Sequence, residues 1–364
     1  MKKTATLILC IALTLMMFAG CASNAPAAPA ATEAPAAPAA TAADQNATPA
    51  PAEQSAWKWE RKVTLVCPWG VGGGADGTLR PLQPILQDIL GVPVEIVNVE
   101  GAGGANGMDF TYKQPADGYT FVLGTQSHIM LDLQKILPFD FRAEMKPVAK
   151  LVHSINIIAS SKKAMEGKYT NFTEFIEYAK AHPQEMTCGM LTATGSDSVS
   201  LKQTLAGGLG CDITEVEKYI KVVNYGGGAE LSAAMAGGHI NINITGASEI
   251  KGLIDSGDIV PLISMSEKRM SAYPDVECTA DYNIDSYVGT WRGLFARTDT
   301  PQEAVDAMSA AVEKAWNDPA YQEFLKNASY LDREGYAAPA DFQKLIDNEY
   351  VTFDAYLKGI GVIK

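Results

Sequence analysis

From Trp57 to the C-terminus, short apolar runs alternate with stretches whose apolar residues recur every three or four positions. That is the pattern of strands feeding helices in an α/β sheet. Residues 63–67 (VTLVC) form a predicted strand that stops at Pro68 and a glycine cluster. Leu79, Leu82, Ile85, Leu86, Ile89 and Leu90 then predict an amphipathic helix from about Thr78. Pro81 is tolerable near its start, whereas Pro84 should kink it. Strands follow at 92–97 and at 120–123, the latter after the turn Asp117-Gly118. Polar and apolar residues alternate over 239–245 (HININIT), predicting a strand with one wetter face. Val305, Met308, Ala311, Val312 and Ala315 place a helix over 301–316, and 342–357 carries another.

The N-terminal stretch has a different pattern. Lys2 and Lys3 precede an apolar run over 5–18, too short for the roughly 20 residues of a membrane span. A basic start, a short apolar segment and small residues read as an export signal over 1–20. Residues 18–21 (FAGC) resemble the lipobox of bacterial lipoproteins, which implies lipid, such as palmitate, on Cys21. Residues 22–56 hold 17 Ala and 6 Pro and neither Lys nor Arg. With no residue there large enough to build a core, 21–56 reads as a lipidated Cys followed by a disordered tether.

Composition narrows the function. The 364 residues carry 29 Lys+Arg against 42 Asp+Glu, a net charge of −13, which argues against nucleic-acid binding. Six Cys are too few for a disulfide scaffold at this length. A Cys188–Cys211 bridge stays open, because spacing does not supply disulfide geometry. The four His are scattered, there is no HExxH, CxxC or GxSxG pattern, and no catalytic set, metal site or cofactor is expected. His128 either reaches a cleft or caps a loop.

Glycine-rich turns carry the candidate chemistry. Residues 72–77 (GGGADG) satisfy GxGxxG between a strand and a helix, with Glu95 about 20 residues on, a dinucleotide fingerprint by pattern. A second cluster at 101–107 (GAGGANG) follows the second strand. Two such turns at neighbouring strand ends point to one anion cradle built from backbone N–H groups. In an exported protein its anion is expected to be a carboxylate rather than a pyrophosphate.

These motifs stand in an order that resembles a known family. PWGVGGGAD at 68–76 with Arg80, the cluster at 101–107 and PADGYT at 115–120 begin the series. PFD at 138–140, NYG at 224–226, AGG at 236–238, Lys268-Arg269, PDV at 274–276, WRGLFA at 291–296 and Thr300-Pro301 continue it. The whole is similar to the Bug-type (TctC-like) substrate-binding receptors of tripartite tricarboxylate transporters. The resemblance implies an α/β, two-lobed type II periplasmic-binding-protein fold with a ligand cleft between lobes. Lobe 1 is expected at 57–153 plus 285–364 and lobe 2 at 154–284.

Mapped by motif, the resemblance implies a ligand carboxylate held by backbone N–H groups, small hydroxyls and water. Lobe 1 offers Trp69, Gly73, Gly74 and Asp76, then Ala102, Gly103 and Gly104, then Thr125, Gln126 and Ser127. Asp76 would repel an anion and reads better as a helix N-cap, or as the partner of a ligand amino group. Lobe 2 offers Thr194, Gly195 and Ser196 at a helix start near Ser198, Tyr225 and Gly226 at a strand end, and Asn241. Asn241 stands where the family commonly has Asp; it either tunes ligand charge or satisfies a loop. The expected protein is not an enzyme. It is an extracytoplasmic, monomeric receptor, anchored to the bacterial cell membrane through Cys21, that delivers a di- or tricarboxylate, related organic acid or acidic amino acid to large and small permease subunits. A ligand sensor for a signalling system, or an exported enzyme using 72–77, are the alternatives.

Overall fold

The computed structural model describes residues 57–191, 195–225, 228–287 and 289–364. The expected signal, Cys21, the tether, Thr194 and Gly226 lie outside the described residues.

Among the described residues, ten strands make two five-stranded sheets. The first has the order β2-β1-β3-β10-β4, built from β1 (Val63–Cys67), β2 (Val94–Asn98), β3 (Thr120–Gly124), β4 (Met145–Ser154) and β10 (Thr290–Arg297). The second has the order β7-β6-β8-β5-β9, from β5 (Asn156–Ser161), β6 (Met186–Met190), β7 (Ile220–Asn224), β8 (Ile242–Gly246) and β9 (Ile259–Ser264). β1 runs parallel to β2 and β3, and β6 parallel to β7 and β8. In both sheets the parallel strands therefore open their carboxyl ends together, where crevices in such sheets lie.

Strand alternation builds a core on each face. Leu65, Phe121, Leu123 and Leu294 pack with Leu79, Leu82 and Leu86 of α1 (Gly74–Leu90) and with Met308 and Val312 of the Gln302–Trp316 helix. One position along each strand, Val66, Val122 and Phe295 face Met108 of α2 (Ala105–Tyr112), Ile129 of α3 (Gln126–Leu133), and Phe342 and Phe353 of the Pro339–Gly359 helix. A period of two puts these neighbours on opposite faces. In the second sheet Ile158, Cys188, Ile242 and Ile263 share one core, while Ile157, Ala159 and Ile259 share the other.

The chain leaves the first sheet at Ser154, passes Ile155 and enters the second at Asn156; it returns to the first at Thr290. The two passages are tied together. Ser154 Oγ donates to Thr290 O at 3.1 Å, and Thr290 Oγ1 donates to Asn156 Oδ1 at 3.3 Å.

Three expectations are corrected and one open question is answered. α1 begins at Gly74, not near Thr78, and runs unbroken through Pro81 and Pro84. The carbonyls these prolines leave without a donor belong to Gly77 and Arg80, four residues back; Gly77 is half-buried and Arg80 exposed, so water can reach that face of the helix. The helix after β6 starts at Ser196 rather than Ser198. The strand expected over 239–245 is β8, Ile242–Gly246. Cys67, Cys188, Cys211 and Cys278 are all free thiols, so Cys188 and Cys211 are not bridged.

Candidate functional site

The first glycine turn delivers the chain into α1. Gly72 takes a left-handed conformation (φ +81°), and Gly73 is the extended N-cap, with no side chain to cap the helix. The first N–H groups of a helix have no intrahelical acceptor, so α1 presents uncapped donors and the positive end of its dipole.

Asp76 is not that N-cap. It sits in the first turn and reaches back to accept from Gly72 N–H at 3.0 Å, while Arg80 donates to it at 3.0 and 2.9 Å and Asn98 Nδ2 at 3.0 Å. Asn98 Nδ2 also donates to Trp69 O at 2.8 Å. Burial works to raise the Asp76 carboxyl, but Arg80, the Gly72 N–H and Asn98 outweigh it and hold the group below the usual carboxylate range. Asp76 is a brace beneath the loop, with every contact internal. Glu95, the acidic member of the dinucleotide pattern, is ion-paired to Lys62 on the exposed surface.

The second turn runs through positive φ at Gly101, Ala102, Gly103 and Gly104. At Gly104 a Cβ would meet His128 Nε2 at 2.8 Å and Trp69 Cζ2 at 3.0 Å, so only glycine lets the turn lie this close. His128 is a loop cap: its Nδ1 accepts from Thr125 N–H at 3.1 Å, and its Nε2 lies 3.4 Å from Gly104 O. Burial pushes this imidazole down to about 4, against the pull of the Gly104 and Thr125 carbonyls, so it is neutral at neutral pH. Thr125 caps α3 by accepting from Ser127 N–H at 3.2 Å.

These turns face the second lobe across a cavity of about 460 Å³. Trp69, Gly73, Gly74, Gly103, Gly104, Thr125 and Ser127 line it from lobe 1; Leu231, Thr245 and Glu249 are among the residues lining it from lobe 2. A neighbouring cavity of about 480 Å³ shares Gly103, Ser127 and Leu191 with it and is lined also by Ala102, Gly195 and Tyr225. The Ser196–Leu209 helix opens beside them with Gly195 as N-cap and, like α1, has no side-chain cap. Ser196 Oγ lies 3.5 Å from Ser127 Oγ, which brings one residue of each predicted set together.

Like Asp76, Gln126 and Asn241 do not join them. Gln126 is fully buried: its Nε2 donates to Gly289 O and its Oε1 accepts from Trp291 N–H, which fixes the entry to β10. Asn241 stands before β8, at the opposite end from Gly246 and the cavity. Its Oδ1 accepts from Thr187 N–H at 2.9 Å and Thr187 Oγ1 at 2.8 Å, so it satisfies a neighbouring strand.

Charged residues that motif reading does not reach also line the wall, among them Arg292, Glu249 and Asp197. Arg292 on β10 reaches across the cleft, its Nη2 2.5 Å from Glu249 Oε1, while its Nη1 donates to Tyr330 OH at 3.1 Å. Ser248 Oγ of lobe 2 donates to the same Tyr330 OH at 3.1 Å, so two adjacent contacts join the lobes. Asp197, in the first turn of the Ser196–Leu209 helix, is the third. The signal for Arg292 was a cation inside an otherwise apolar strand run, WRGLFA, since an unpaired charge is not buried there. A Cβ on Gly74 would fall on the Glu249 carboxylate and Arg292 Nη2, so glycine here makes room for the pair.

Comparison with known proteins agrees with this architecture. Residues 78–362 match the family described as TctC, tripartite tricarboxylate transporter family receptor. Protein BugT of Bordetella pertussis is 26% identical over 267 residues, 72% of this chain and 78% of its own. A UPF0065 protein in the gbd 5' region of Cupriavidus necator is 26% identical over 295 residues, covering 79% and 86%. Among solved structures, R. palustris Rpa4515 with adipate superimposes with a TM-score of 0.74 at 24% identity, covering 83% of this chain and 98% of its own. Periplasmic binding protein BugD gives 0.74 at 23%, covering 84% and 99%. These structural likenesses establish the two-lobed binding-protein fold.

Proposed function

The chain belongs to the tripartite tricarboxylate transporter receptor family, and from that premise we propose that its interlobe cleft captures a small carboxylate and presents it to large and small permease subunits in the membrane. It is a binding protein, not an enzyme. The observation that carries the carboxylate reading is the convergence on one cavity of the uncapped α1 N-terminus, two glycine turns and the Arg292 guanidinium. Backbone N–H groups and a helix dipole favour a compact anion, and a guanidinium matches carboxylate geometry.

In this reading lobe 1 comprises 57–153 plus 285–364 and lobe 2 comprises 154–284, closing on the ligand about the paired passages at Ser154–Asn156 and Thr290. The signal at 1–20 exports the chain, lipid on Cys21 anchors it outside the cytoplasm, and the 21–56 tether lets a monomer reach its permease. Rpa4515 and MatC of Rhodopseudomonas palustris were solved with adipate and malate, which supports the carboxylate reading.

Calorimetric titration of the full-length chain with mono-, di- and tricarboxylates and amino acids tests the proposal. At least one is expected to bind with one-to-one stoichiometry. Binding of another solute class, with no carboxylate recognised, would refute it.

A further inference from the structure

The guanidinium of Arg292 is only partly used. The Nε and Nη2 hydrogens of an arginine form one edge that fits both oxygens of a carboxylate. Arg297 of this chain shows that full fork, with Nε donating to Asp299 Oδ1 at 2.9 Å and Nη2 to Oδ2 at 2.7 Å. Arg292 differs. Its Nη2 donates to Glu249 Oε1 at 2.5 Å and its Nη1 to Tyr330 OH at 3.1 Å, while its Nε has no hydrogen-bond partner. Yet the residue is 4% exposed and lines the cavity. A buried donor without an acceptor is costly, so the half-filled edge calls for one more oxygen.

Thr245 is what holds Glu249 to one half of that edge. Its Oγ1 donates to Glu249 Oε2 at 3.0 Å and so engages the second carboxylate oxygen away from Nε. The contact is local, since Thr245 lies in β8 and Glu249 in the Ala247–Ile250 turn that follows it. Crowding does not set the orientation. Glycines flank the carboxylate on both sides: a Cβ on Gly74 would overlap it, and one on Gly246 would stand 3.2 Å from Oε1. The Thr245 hydroxyl is therefore the group that decides where Oε2 points. Asp197, the other carboxylate near Arg292, is turned to Asn156 Nδ2 at 3.4 Å.

We propose that Thr245 is a positioning residue of this site: by holding Glu249 on half of the Arg292 edge, it keeps Nε open for an oxygen of the captured carboxylate. The inference rests on the carboxylate-receptor reading and adds the device that keeps its cation available. Arg292 then serves two ends at once. Nη1 and Nη2 join the lobes through Tyr330 and Glu249, and Nε is left for the ligand. Without the hydroxyl, Glu249 would take Nε and Nη2 together, as Asp299 does at Arg297, and the protein's own carboxylate would fill the edge.

The test is calorimetry on the full-length chain, with the tightest binder among succinate, malate, adipate and citrate as probe. Thr245→Val keeps the shape of the side chain and suits a strand, so the fold should survive; Thr245→Ala serves if it does not. Either should weaken binding about ten-fold, whereas Thr245→Ser, which keeps the hydroxyl, should bind as wild type does. In a Glu249→Gln background Thr245→Val should cost nothing further, because an amide has one acceptor oxygen and cannot bridge both donors. Wild-type affinity in Thr245→Val, an equal loss in Thr245→Ser, or the same loss with Glu249→Gln present would overturn the proposal. A ligand-free crystal structure of Thr245→Val reads the positioning without any probe. Glu249 should there sit on both Nε and Nη2, and an unmoved Glu249 would refute this inference alone. Failure of every carboxylate to bind the wild-type chain would instead refute the receptor reading on which it rests.

Discussion

Gly74→Val should abolish carboxylate binding while leaving the protein folded. Gly74 is the first residue of α1, where the incoming side chain enters no core and valine is compatible with a helical backbone. Its Cβ would fall on the Glu249 carboxylate and the Arg292 guanidinium, driving apart a pair that joins the lobes. The same atoms would cover the α1 donors that face the cavity. Separating a largely desolvated ion pair costs about 3 kcal/mol, which is about a hundred-fold in Kd before the blocked donors are counted. Calorimetry with the best-binding carboxylate reads the affinity, and thermal unfolding by circular dichroism reads the fold. Wild-type affinity in Gly74→Val would show that the cradle lies elsewhere.

Arg292→Met should open the cleft. Arg292 is ion-paired to Glu249, its charge also pulls on Asp197, and it donates to the Tyr330 hydroxyl that receives Ser248 from the other lobe. Methionine fills much of the volume but removes the charge, so a closed cleft would bury Glu249 unpaired beside Asp197. Leaving one partner of a buried pair costs about 3–5 kcal/mol. Here opening the lobes returns Glu249 to water at lower cost than unfolding, so the loss should appear as opening. Small-angle scattering of the ligand-free chain should show a larger radius of gyration in Arg292→Met than in wild type. Carboxylate affinity should drop by about ten-fold or more. Glu249→Leu added to Arg292→Met should recover the compact form without recovering affinity, since the cation is still missing. A compact single variant with wild-type affinity would remove Arg292 from both roles.

The sequence makes the turns legible and the charges illegible, for a physical reason. A glycine that must take positive φ, such as Gly103 or Gly104, marks itself locally, because the backbone requirement and the residue occupy one position. The same holds for strand faces: a period of two separates Leu65 from Val66 whatever lies across the sheet. Asp197, Glu249 and Arg292 meet only because three separate segments fold onto one cavity, and no local pattern records that meeting. Gln126 and Asn241 mislead by the converse route. Each follows a motif near a strand, but its side chain satisfies backbone or a neighbouring strand instead of facing the cleft. Asp76 stands in the expected loop with a different duty: its partners are Gly72, Arg80 and Asn98, and it shapes the turn from beneath.

The most direct measurement is a crystal structure of the chain with the tightest-binding carboxylate from the calorimetric panel. The ligand carboxylate should lie within hydrogen-bond reach of the Gly74 and Ala75 N–H groups, between the lobes, with Arg292 adjacent. A ligand seated away from the α1 N-terminus, or held by one lobe without the other, would contradict the account.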